Sequence, residues 1–137
     1  MLPRTIFLCR LLGLWVLVIA ISVIFHRSAM VMIAEDFSHF PALQYISGVF
    51  TTLAGLAMVL THNVWIGGAA PVVVTVVGWS LLIKGVALTF ISPSAAASVL
   101  AATGFAQHTY AYGTILLFLG LYLTYAGFVA NQTKRHS

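Results

Sequence analysis

Apolar residues run along this chain in four long blocks, and polar residues are confined to the gaps between them. The blocks lie at about 5–25, 42–60, 71–91 and 112–130. Each is about as long as the 20 or so residues that a helix needs to cross a hydrocarbon layer of about 30 Å. The pattern predicts four membrane-spanning helices. The stretch 26–41 between the first two holds Arg27, His39 and both acids, Glu35 and Asp36, and reads as a loop. Its apolar run 29–33 is expected to lie on the membrane surface. Pro41 suits the first turn of the next helix because its φ is fixed. The turn His62-Asn63-Val64-Trp65-Ile66-Gly67-Gly68 separates the second and third spans, and Ser92-Pro93-Ser94 ends the third. The alanine-rich segment 95–107 is too short to span and is expected as a short interfacial helix between spans three and four. The fold class is therefore all-α, an integral membrane four-helix bundle in a single domain over 1–137.

Within the blocks, small residues recur. Gly113, Gly120 and Gly127 fall seven apart, as do Gly78 and Gly85, and Gly13 and Ala20; Gly48, Thr52 and Gly55 share a stripe of the second span. Small residues let helix backbones approach in lipid, and a seven-residue period keeps one seam facing its partner. These glycines are expected at helix contacts.

Composition sharpens the picture. The 137 residues are 61% hydrophobic and 6% charged, with mean hydropathy +1.07, whereas a soluble domain carries about 25% charged residues. This chain cannot cover a soluble surface. Its partners are expected to be the lipid bilayer and a membrane-protein partner or a second copy, with no nucleic acid, because its few cations are scattered. Arg4, Arg10, Lys134 and Arg135 flank the outer spans, against Arg27 alone in the first gap. That bias predicts a multi-pass protein with both termini cytoplasmic. The first span resembles a signal peptide, but it lacks an A-x-A site and is expected to stay uncleaved. The single Cys9 forms no redox pair and is expected to face lipid or pack.

The leading site candidate is Lys84, the one lysine in the third block. A charge there costs at least about 2.5–3.5 kcal/mol on insertion scales. Three readings stay open: snorkelling to the outer interface, a buried pair with Glu35, Asp36 or helix-end carbonyls, or a substrate, proton or anion site. Ser80 shares its face at helical spacing. His62 and Asn63 are candidate ligand groups or caps for the end of the second span, and Trp65 and Trp79 are expected as interfacial anchors. His26, His39 and His108 match no metal motif, and no nucleophile–base pair is present. The expectation is a chain with no catalytic residues, no metal and no cofactor.

The segments Pro41-Ala42-Leu43-Gln44-Tyr45-Ile46-Ser47-Gly48, 55–65 and 76–85, closing with Pro93, resemble a family of small uncharacterised bacterial inner-membrane proteins. The His-Asn-x-Trp turn, here His62 to Trp65, and the Gly-Trp-x-x-x-x-Lys-Gly span, here Gly78 to Gly85, carry that resemblance. It implies four spans in a bacterial inner membrane and no particular activity. The function expected is non-enzymatic: an accessory or assembly subunit, or a small-ligand binder. The alternative is a small oligomeric transporter or channel using Lys84 as an anion or proton site.

Overall fold

The computed structural model describes residues 3–37 and 39–132, with side chains except at positions 35, 37, 105, 106 and 130–132. Among these residues the chain is all-helical: α1 (Pro3–Phe25), α2 (Arg27–Phe37), α3 (Pro41–Thr61), α4 (Ala69–Phe90), α5 (Pro93–Thr103) and α6 (Phe105–Gln132). Four of them, α1, α3, α4 and the 107–129 portion of α6, are long and apolar enough to cross a membrane.

The four long helices pack as two antiparallel pairs, α1 with α6 and α3 with α4, which touch each other far less. Glycine makes each pairing close. A Cβ built on Gly55 would fall on the Leu82 backbone nitrogen and 2.6 Å from its Cα, and one on Gly48 would lie 3.0 Å from the Thr89 nitrogen. In the other pair, Gly13 meets the Thr124 backbone, Gly120 meets Leu17 and Gly127 meets Arg10. Gly78 and Gly113 are looser: they meet only side-chain atoms, of Met58 and Val59 and of Val23 and Ile24. Gly85 returns to backbone contact, against Thr52. The seven-residue spacing thus corresponds to helix seams, within pairs rather than around one symmetric bundle.

The antiparallel order places the start of α1, the α3–α4 turn and the end of α6 together. At this terminal end one apolar cluster, Cys9, Leu12, Met58, Ala70, Val74 and Leu123, joins the two pairs. Cys9 is fully buried there, so it packs rather than facing lipid. At the opposite, distal end lie α2 and α5.

Two boundaries differ from the sequence reading. The region 26–41 was expected as a loop, but 27–37 is helical. Met30, Ile33 and Ala34 recur at helical spacing and turn one face inward, which overrides the polar residues around them. The short helix after α4 ends at Thr103 rather than 107. Gly104 adopts a left-handed conformation (φ 60°) that closes α5, and α6 begins at once, with a break at His108. Lys134 and Arg135 lie outside the described residues.

Candidate functional site

Two polar regions emerge, one at each end of the α3–α4 pair. At the terminal end, Thr75 holds the turn after α3. Its hydroxyl accepts from the Val64 N–H at 3.0 Å and has the Val64 and Pro71 carbonyls at 2.9 and 3.0 Å to donate to. The buried His62 ring places Nε2 3.3 Å from the Pro71 carbonyl, and its backbone N–H closes α3 on the Met58 carbonyl. Asn63 does not cap α3 through its side chain. Its Oδ1 accepts from the indoles of Trp65 (2.8 Å) and Trp79 (3.4 Å). The two tryptophans named as anchors are therefore tied to one amide. Gly67 and Gly68, at φ 109° and 113°, supply the reversal that L side chains resist.

Lys84 lies at the distal end, about 14 Å along α4 from Thr75 at 1.5 Å per residue. The structure thus separates Lys84 from His62 and Asn63. The helix pairs part here around a cavity of about 550 Å³. Its walls come from α2 (Met30, Ile33), α3 (Ser47, Thr51), α4 (Lys84, Leu88), α5 (Val99, Leu100) and α6 (Tyr112). Lys84 is the one charged side chain among the described lining residues. The pairing of Gly85 with Thr52 sets Lys84 and Thr51 at one level. That level forms the floor, about 10 Å in from Ile91 along α4.

No hydrogen bond or ion pair reaches the Lys84 amine among the described residues, so the paired reading finds no partner in Asp36 or a helix-end carbonyl. The Glu35 side chain lies outside the described residues. Ser47 and Thr51 likewise make no side-chain hydrogen bond. Their neighbours do: Thr52, Thr89 and Ser80 each donate to the carbonyl four residues back, at 2.8–2.9 Å. Ser80 is thereby used by its own helix and does not line the cavity.

Sequence reasoning passed over two further polar groups. Gln44 is buried, and its Nε2 donates to the Leu88 and Ile91 carbonyls at 3.1 and 3.0 Å. It ties the start of α3 to the end of α4. Arg10, read only as a topology charge, donates from Nε to the Gly127 carbonyl at 2.9 Å and lies 4.6 Å over the Phe128 ring. Neither role has a local signal, because each partner is distant in sequence. The cavity wall also depends on α5. Its Thr103 carbonyl accepts from the Tyr112 hydroxyl at 2.8 Å, and none of its residues is buried.

The cavity can hold a ligand that needs hydrogen-bond donors at one end and apolar walls around the rest. Among the described residues no three His, Cys, Asp or Glu side chains converge in a way that could hold a metal. No family model matches the chain, and comparison with curated proteins and with solved structures gives no match.

Proposed function

We propose that this chain is a non-enzymatic, multi-pass inner-membrane protein that holds a small ligand in the Lys84 cavity. The observation that carries the reading is a set of donors without partners among the described residues, Lys84, Ser47 and Thr51, on the floor of a largely apolar space of ligand size. Lys84 is exposed and Ser47 and Thr51 are half-buried, so a molecule entering the cavity meets their donors.

Large apolar side chains cover the outer faces of all four long helices, with Phe7, Phe50, Ile83 and Phe118 each more than 60% exposed. That surface suits lipid and no aqueous phase. The bacterial inner membrane rests on the resemblance of 41–93, and cytoplasmic termini rest on the Lys/Arg bias. On this orientation α2 and α5 lie at the outer interface and the cavity opens within the outer half of the bilayer. Reporter fusions at Ser137 and within α5 should report cytoplasm and periplasm respectively; the reverse would overturn the orientation.

The binding reading is tested on protein taken from native membranes in mild detergent, with retained small molecules identified by mass spectrometry. A compound retained at about one per chain, and lost in Lys84→Met, is expected. Retention of nothing beyond bulk lipid would overturn the reading. Lys84-dependent flux across reconstituted vesicles would replace holding by transport.

A further inference from the structure

We infer that the cavity takes a single-chain amphiphile with a monoanionic head, a long-chain carboxylate, seated head-down on Lys84, Thr51 and Ser47. This inference rests on the reading of the cavity as a ligand site.

The head is specified by the floor. Lys84 offers three N–H donors and one positive charge, and the two hydroxyls each offer one donor. Among the described residues all three are free of internal bonds, and Lys84 and Thr51 stand at one level on facing helices. No carboxylate is among the described lining residues, so the local field favours an anion. One cation matches one negative charge. A phosphate monoester would leave its second charge uncompensated in an apolar surround, where unpaired charge is costly.

The tail is specified by the walls. Met30, Ile33, Leu88, Val99 and Leu100 surround the space above the floor, and they offer contact area without donors or acceptors. An alkyl chain satisfies such walls, whereas a polar metabolite would bury groups with no partner. The volume of about 550 Å³ lies inside the range of about 300–1,000 Å³ usual for small-ligand sites.

The route is specified by α5. It is a cavity wall with no buried residue, held by the Ser92 cap at one end and by left-handed Gly104 and the Tyr112–Thr103 bond at the other. Displacing it opens the cavity sideways, so an alkyl chain can enter without crossing water.

The test uses the full chain, delipidated in a non-ionic detergent, with radiolabelled hexadecanoate as probe and hexadecanol and hexadecyl phosphate as competitors. Saturable binding at one site per chain is expected, with hexadecanol competing at least tenfold more weakly. Lys84→Met should weaken binding by roughly tenfold or more, as expected for loss of a charge-assisted hydrogen bond. Thr51→Val should weaken it by a few-fold, and Lys84→Arg should restore most of the affinity. Equal binding of hexadecanol, stronger binding of hexadecyl phosphate, or an unchanged Lys84→Met would overturn the inference. Should Lys84→Met fail to fold, the competition on the native chain decides by itself. If hexadecanoate fails but native protein retains another compound that Lys84→Met loses, the binding reading stands and the carboxylate falls. If neither is seen, both fall.

Discussion

Thr75 and Thr51 carry the same side chain on adjacent helices, yet at opposite ends of the bundle they use it differently. Thr75 is fully buried and clasps the α3–α4 turn through Val64 and Pro71. Around it His62, Asn63, Trp65 and Trp79 are engaged with one another or with backbone, and the shared apolar cluster joins both helix pairs. Thr51 lines a cavity where the pairs part, beside Ser47 and Lys84, none of which has a partner among the described residues. The cluster around Thr75 uses its polar groups to hold the fold. The other leaves donors available inside an apolar space. The contrast separates the residues that build the protein from those that would bind for it, although all sit on the α3–α4 pair or the turn between its helices.

The largest test of this division attacks the scaffold that both ends share. Gly55→Leu must displace the α4 backbone at Leu82, because no flexible side chain there can yield. Overpacking of this kind costs about 1–3 kcal/mol and sometimes more, so thermal melting in detergent should fall sharply or the protein should fail to accumulate. Gly113→Ala is the milder counterpart, since its neighbours are side-chain atoms of Val23 and Ile24 rather than backbone. A melting point for Gly55→Leu equal to the native value would show that the α3–α4 seam is not tight.

Next comes the clasp. Thr75→Val keeps the shape but strands the Val64 N–H, and an unsatisfied buried group costs about 1–3 kcal/mol. Melting should drop accordingly, and amide exchange should quicken at Val64. The same substitution at Thr51 removes no internal bond and should change stability by less than about 0.5 kcal/mol. Equal losses at the two positions would erase the contrast.

Much of this architecture is legible in the sequence, for physical reasons that also mark where legibility ends. Four spans can be read because the bilayer sets a length and the apolar blocks match it. The seams can be read because Gly and Ala recur every seven residues within single helices. Lys84 stands out because a charge in an apolar block is conspicuous. Helix α2 is harder: its apolar run is too short to span, and Arg27, Glu35 and Asp36 around it make it look like a loop. The α3–α4 turn shows the limit most clearly. His62 and Asn63 can be singled out from the chain, but Asn63 has two indoles rather than carbonyls as partners, and Thr75 looks like one more span threonine. Gln44 and Arg10 act through carbonyls 44 and 117 residues away, which no local pattern encodes. The cavity itself arises from how two pairs diverge, and nothing in a single helix specifies that angle.

The smallest expected effect on stability is also the most direct test of the central claim, that Lys84 serves a ligand and not the fold. The measurement is the melting of ligand-stripped Lys84→Met beside the native chain in the same detergent. With no partner among the described residues to strand, the variant should melt at or above the native temperature, since it removes a charge that is costly among apolar surroundings. A loss of about 3–5 kcal/mol, the size seen when one member of a buried pair is removed, would contradict the account and make Lys84 a structural residue.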